Sequence, residues 1–192
     1  MAAPEFDRVE SPRLVLRRLR AEDLDALVAY RSDSEVARYQ SWSDYDAERG
    51  RKLIESMQGR QPGEPGWFQF AIALKDTDAL IGDCALRTDE YDARLGEIGF
   101  TLAREHQGRG LGTEAVKALL GYVFGALNLH RVIAVTDAKN TAAATVLERV
   151  GMRREGHFIE NIFFKGAWGD EFLYALLGRE WVWQTSRIAS SK

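Results

Sequence analysis

The sequence predicts a single α/β (α+β) domain: a mostly antiparallel sheet in the N-terminal half, followed by one strand–helix–strand crossover. Three observations carry this. Segments of apolar alternation crowd the first hundred residues, and two of them are joined by a tight turn. Segments of helical period are interspersed among them. A central stretch then runs from a strand through a glycine-rich turn into a helix and a second strand.

"RLVLRRL" (residues 13–19) sets Leu14 and Leu16 against charges, as a half-buried strand does. "AEDLDALVAYRS" follows, with Leu24, Leu27 and Val28 at helical spacing and acids in its first turn. "SWSDYDAERGRKLIESM" reads as a loop carrying Trp42 and then a helix, and "QGRQPGEPG" as a breaker-rich loop. "WFQFAIALKDTDALIGDCALR" reads as a hairpin turning at residues 75–78. "GEIGFTL" (residues 96–102) alternates Ile98, Phe100 and Leu102 against Glu97, Gly99 and Thr101. The next helix has Val116, Leu119, Leu120, Val123 and Phe124 on one face. "HRVIAVTD" is a short strand, and "NTAAATVLERVG" a helix capped by Asn140 and stopped by Gly151. "GHFIENIFFKGAWGDEFLYALL" is a strand, a turn and a strand, with Trp181 and Trp183 beyond as a core plug. One domain is expected over residues 11–183, with 1–10 and 184–192 as flexible termini.

Composition bounds the function. The 192 residues are 45% hydrophobic, and the formal charge of −3 is scattered along the chain. No basic stripe is present, which argues against nucleic acid as a partner. No apolar run approaches 18 residues and no signal peptide opens the chain, so a cytoplasmic protein without a membrane partner is expected. Cys84 is the single cysteine, so an internal disulfide and a cysteine-rich metal site are excluded, and no metal is expected. Its apolar surroundings read as those of a small buried hydrophobe.

The chemistry concentrates in "REHQGRGLGTEAVKALLGYVF" (residues 104–124), where Gly108, Gly110 and Gly112 precede a helix. Glycine admits left-handed backbone angles and close approach. The first N–H groups of a helix lack internal acceptors, and the dipole adds positive potential there. The stretch is therefore a nest for an anion such as pyrophosphate. Each such contact contributes roughly 0.3–2 kcal/mol. A Walker loop is excluded, because no G-K-[ST] follows. A Rossmann site, with Asp137 as the ribose acid, is disfavoured: G-x-G-x-G replaces G-x-G-x-x-G, and residues 103–107 intervene after the strand.

"QGRGLG" (residues 107–112) is similar to the Q/R-x-x-G-x-G/A signature of the GNAT N-acetyltransferases. "DAKNTAAATVLERVGM", "SPRLVLRRLRAEDLDALVAY" and "GAWGDEFLYALLGREW" resemble the RimJ/RimL-like branch, which acetylates ribosomal-protein N-termini. The resemblance covers roughly residues 11–181. It implies a mixed, mostly antiparallel seven-stranded sheet flanked by about four helices and splayed between its fourth strand (residues 96–102) and fifth (residues 130–136). It implies acetyl-CoA in the gap: backbone groups of Phe100, Thr101 and Leu102 on the pantetheine arm, and Gln107, Gly108, Arg109, Gly110, Leu111, Gly112 and Thr113 on the pyrophosphate. Asn140 would bond the pantetheine side as well as cap its helix. Tyr39, Trp42 and Trp168 fall in segments that border the acceptor pocket of the family, and Trp67 reads as hairpin packing. Related proteins often pair, so a homodimer is compatible.

The implied reaction is direct attack of a primary amine, a peptide N-terminus or a small amine, on the thioester. The amine must shed a proton, and a strand N–H is the natural oxyanion donor. Glu160 is the first candidate base, because it shares a strand face with Phe158, Ile162 and Phe164 and apolar neighbours raise a carboxyl pKa. A solvated edge carboxylate is the alternative. Glu97 and then Asp170 follow, with His106 and His157 behind. Many relatives carry a Ser three residues after the Asn, or a Tyr about seven after it, as the acid for sulfur. Here Ala143 and Leu147 stand there, and Tyr174 is a core residue unless it reaches the sulfur. That absence keeps open an acyl-CoA-binding module without turnover, and the glycine run keeps open a nicotinamide enzyme.

Overall fold

The structure, a computed structural model, describes residues 6–181. Among these the sheet has eight strands in the order β1-β2-β3-β4-β5-β6-β8-β7. The strands are β1 (Arg8–Glu10), β2 (Leu14–Arg18), β3 (Gly66–Leu74), β4 (Leu80–Thr88), β5 (Leu95–Leu102), β6 (Arg131–Asp137), β7 (Arg153–Phe164) and β8 (Ala167–Leu177). Neighbours are antiparallel except β5 and β6, which α4 connects. The α-helices are α1 (Leu24–Ser32), α2 (Ser34–Ala37), α3 (Ala47–Ser56), α4 (Leu111–Gly125) and α5 (Thr141–Arg149), and helical residues begin again at Gly178.

The helices start where their caps stand. Asp46 accepts from the Arg49 N–H at 2.9 Å and Asn140 from the Ala143 N–H at 3.1 Å, each satisfying an orphan donor. Gly151 takes φ +90° beyond α5, where a side chain would be strained. α4 packs Val116, Leu119, Leu120 and Val123, all fully buried, onto Leu16, Phe70, Cys84 and Leu86 of the sheet. Each such side chain contributes about 1.5–3 kcal/mol. A smaller core on the opposite face joins Leu19, Leu27, Tyr30 and Ile54 under α1 and α3. The sheet is thus sandwiched, with α4 and α5 on one face and α1–α3 on the other.

The eighth strand is β1, in a segment expected to be a flexible terminus. Val9 pairs with Leu16, and Phe6 is buried against the rings of Phe68, Phe70 and Tyr122, at 5.9, 5.2 and 5.2 Å. A three-residue strand carries no periodicity to read, and distant aromatics secure it. The split expected between fourth and fifth strands consequently lies between β5 and β6. Cys84 is wholly buried, and burial pushes its thiol pKa up, so it serves as a core side chain. Trp181 packs on Phe124 at 6.2 Å, while Trp183 and residues 184–192 lie outside the described residues.

Candidate active site

Strands β5 and β6 pair only over Leu95↔Arg131, Gly96↔Val132 and Glu97↔Ile133, and then diverge. On its other side β5 stays paired with β4 through Leu102. Ala103 donates to the Ile81 carbonyl and Asp89 to the Leu95 carbonyl. Antiparallel alternation therefore turns the odd-numbered main-chain groups of β5 to β4, and those of Phe100 and Leu102 into the split. Thr101, expected on the pantetheine arm, is in register with Asp83 and spends its backbone on β4.

Side chains alternate likewise. Ile98, Phe100 and Leu102 face α4 and α5, while Glu97, Gly99 and Thr101 face the α1–α3 side. Two cavities meet at the split. The larger, about 490 Å3, lies at the α4–α5 side and is lined by Phe100, Leu102, Gln107, Gly108, Gly110, Gly112, Thr113, Asn140 and Val146. Arg38, Arg104 and Arg149 also line it, as does Glu35, whose carboxylate lies 3.9 Å from the Arg38 guanidinium. The smaller, about 150 Å3, is lined by Tyr39, Gly99, Val135, Asp137, Ile162, Phe164 and Glu171. Tyr39, Gln40, Phe100, Asn140 and Ala143 line both.

The turn before α4 is held open. Gly108 and Gly110 take φ +71° and +75°, and Gly110 is the N-cap of α4. Among the described residues the N–H groups of Gly108, Arg109 and Gly110 have no protein acceptor, and the first helical bond is Glu114 N–H to the Gly110 carbonyl at 3.1 Å. Leu111, Gly112 and Thr113 therefore hold the open amides of the first turn. Gly112 packs closely: a Cβ there would crowd Leu102 Cδ1 at 3.3 Å and touch Val146 Cγ2 at 3.6 Å. Gln107 acts differently from expectation. Its Nε2 donates to the Leu102 carbonyl at 3.0 Å and its N–H to Arg104, so both groups brace the turn. Neither Arg109 nor Leu111 lines the cavity, and the Leu111 side chain is buried in the core. Left-handed glycines, free amides and lining arginines suit a diphosphate.

The family model of the acetyltransferase (GNAT) domain matches residues 13–153. The chain belongs to the GNAT acetyltransferase family. As a member it is a transferase whose acyl donor is acetyl-CoA. It is 33% identical over 183 residues to the uncharacterized N-acetyltransferase p20 of Bacillus licheniformis, covering 92% of this chain and 99% of that one. A GNAT-family acetyltransferase crystal structure from Bacillus anthracis superposes with a TM-score of 0.80 at 30% identity, covering 90% of this chain and 99% of that one. The [ribosomal protein uS5]-alanine N-acetyltransferase of Escherichia coli (strain K12) is 30% identical over 85 residues, 44% of each chain.

Within this GNAT frame none of Glu160, Glu97 and Asp170 lines either cavity. Glu160 was expected to share a face with Phe158, Ile162 and Phe164. It sits instead in a bulge between Phe158 and Ile162, at φ +46°, and is exposed. The carboxylate on that face is Glu171 of the facing strand, paired with Phe158. Glu97 is ion-paired with Arg87 at 2.7 Å. Asp170 accepts from the Glu160 N–H at 2.8 Å and contacts His157 Nε2 at 3.1 Å, and these bonds hold its carboxyl below the ordinary range. Tyr174 is buried and donates to Glu148 on α5 at 2.9 Å, away from both cavities.

The carboxylates at the smaller cavity are Asp137 and Glu171, directly opposite each other across β6 and β8. Asp137 Oδ1 accepts from the Lys139 N–H at 2.7 Å, and Glu171 Oε2 from Asn161 Nδ2 at 2.6 Å. Neither is in an ion pair among the described residues. Sequence reasoning weighed Asp137 only as a ribose acid and missed Glu171, because their meeting depends on strand register. Arg38, Arg104 and Arg149 were missed for a similar reason: three separate segments bring them together.

Of the aromatic residues, Tyr39 lines both cavities and its hydroxyl donates to the Lys139 carbonyl at 3.4 Å. Its loop is pinned by Lys165, whose Nζ donates to the carbonyls of Ala37 at 2.6 Å and Trp42 at 2.8 Å. Trp42 turns inward, covering the Arg31 guanidinium at 4.2 Å and donating to the Arg31 carbonyl. Trp168 is 60% exposed and stacks edge-on with Phe163 at 5.5 Å. Neither tryptophan lines a cavity. Among the described residues no helix is long and apolar enough to cross a membrane, and no metal-ligating cluster occurs.

Proposed function

We propose that this acetyltransferase moves the acetyl group to a primary amine, a peptide N-terminus or a small amine, by direct attack. The observation that carries the reading is the split sheet, with a basic, amide-lined cavity on one side and a carboxylate-bearing cavity on the other. Acetyl-CoA supplies the activated acyl group when bound. The amides of residues 108–113, the Thr113 hydroxyl and Arg38, Arg104 and Arg149 hold its phosphates, while the Asn140 side chain and main-chain groups of Phe100 and Leu102 hold the pantetheine arm. The N–H of Phe100 faces the split, as a donor to the thioester oxygen must.

Like charges directly opposite across a strand pair repel, and a cation between them relieves that repulsion. Asp137 and Glu171 therefore favour binding of a cationic amine at the split, and it is the neutral form of that amine, its proton lost to water, that attacks. Ala143 and Leu147 line the smaller cavity and offer no proton. The departing thiolate, like a thiol of pKa about 8.5, takes its proton from water. Thiol release measured over a panel of peptide N-termini and small amines tests the reading. Amine-dependent release is expected; coenzyme binding with no release for any amine would make the chain a binding module instead.

A further inference from the structure

A carboxylate in the first turn of a helix ordinarily folds over the free amides there. Glu114 is so placed, yet its carboxylate is drawn away toward the start of β2. Oε1 accepts from Ser11 Oγ at 2.7 Å and from the Arg13 N–H at 2.7 Å, while Oε2 pairs with Arg13 Nε at 2.7 Å. The same guanidinium donates through Nη1 to the Arg109 carbonyl at 3.1 Å. One side chain thus holds both the acid and the peptide unit between the two left-handed glycines, and neither Arg13 nor Glu114 lines the donor cavity. Burial opposes ionisation of Glu114, but the Arg13 N–H, the Ser11 hydroxyl and the guanidinium outweigh it, so the carboxyl is held below its ordinary range.

We propose that Arg13, helped by Ser11, is a positioning residue for the acyl donor: it neutralises Glu114 and fixes the Arg109 carbonyl, so that the amides of residues 108–113 stay open to a diphosphate. The proposal rests on the assignment of that turn to the coenzyme phosphates. The turn between β1 and β2 thereby governs a site to which it contributes no lining residue, and the link joins positions about a hundred residues apart in the chain.

The test compares wild type, Arg13→Met and Arg13→Met/Glu114→Gln, using KM for acetyl-CoA, KM for the acceptor, kcat and calorimetric binding of coenzyme A. Arg13→Met is expected to raise KM for acetyl-CoA and weaken coenzyme A binding about tenfold or more. Its kcat at saturation and its acceptor KM stay within about twofold of wild type. Removing the stranded charge in the double variant restores at least half of the lost binding on a logarithmic scale. A general structural defect would lower kcat and melting temperature together and would gain nothing from the second substitution. Unchanged coenzyme A binding by folded Arg13→Met, or a double variant no better than the single one, would overturn the proposal. Should Arg13→Met fail to fold, Arg13→Lys, which keeps the charge and loses the fork, must bind coenzyme A more weakly than wild type or the proposal falls. If Gly110→Val also leaves coenzyme A binding unchanged, the assignment of the turn itself is at fault.

Discussion

Replacing Gly110 by alanine isolates one variable, backbone handedness. The residue caps α4 at φ +75°, ψ 1°. An added Cβ would meet only Arg13 Nη2, at 3.6 Å, an ordinary contact. The cost is therefore conformational, about 1–2 kcal/mol for an L-residue held left-handed. If the turn keeps its shape, the whole amount is subtracted from stability. If the turn relaxes, its amides rotate and the cost moves into coenzyme affinity, as a loss of about 5–30-fold. The helix cannot relax, because Val116, Leu119 and Leu120 are fully buried. The turn can, because Gly108, Arg109 and Gly110 are exposed. The expected result is a rise in KM for acetyl-CoA within that range, unchanged kcat at saturation and little change in melting temperature. Asparagine tolerates the left-handed region, so Gly110→Asn should lose less than about threefold. An asparagine variant as impaired as the alanine one, or two variants both binding like wild type, would refute the argument from handedness.

Further outcomes follow from the acceptor side and from the acid limb. Asp137→Asn and Glu171→Gln each remove a charged partner for the ammonium, and kcat/KM for the amine should fall about 10–100-fold with KM for acetyl-CoA unchanged; steady-state kinetics that match wild type for every amine would move the acceptor elsewhere. Gly99 has only Ala85 Cβ near an added Cβ, at 4.0 Å, so Gly99→Val should melt like wild type, bind coenzyme A normally and lose acceptor turnover. Full activity in that variant would show the smaller cavity to be dispensable. Glu155 is held at a pKa of about 2, chiefly by Arg131 and with help from Arg153. A folded pKa depressed from about 4.3 contributes stability above that value and loses it as pH falls toward 2. Glu155→Gln should therefore lose less melting temperature than wild type between about pH 5 and 2, and equal losses would deny the coupling.

What could be read from the chain divides by the range of the interaction that decides it. The glycines at 108, 110 and 112, the Asn140 cap and the alternation of β5 are local features, and the turn, the helices and the donor side follow from them. The register of β6 with β8 is not local, and it alone sets Asp137 against Glu171. Glu160 shows the same limit from the other direction. Period-2 counting puts it among Phe158, Ile162 and Phe164, but two residues of bulge remove it from the alternation, and a bulge leaves no mark in apolar periodicity. The missing proton donor can be argued further. Ala143 and Leu147 line the smaller cavity, so on the proposed reading apolar residues stand where a donor would. An ammonium needs a base more than a thiolate of pKa about 8.5 needs an acid. On the proposed reading, a site with two carboxylates and no phenol or serine donor is matched to that asymmetry, and its rate should therefore fall more on loss of Asp137 or Glu171 than on any change at Ala143 or Leu147.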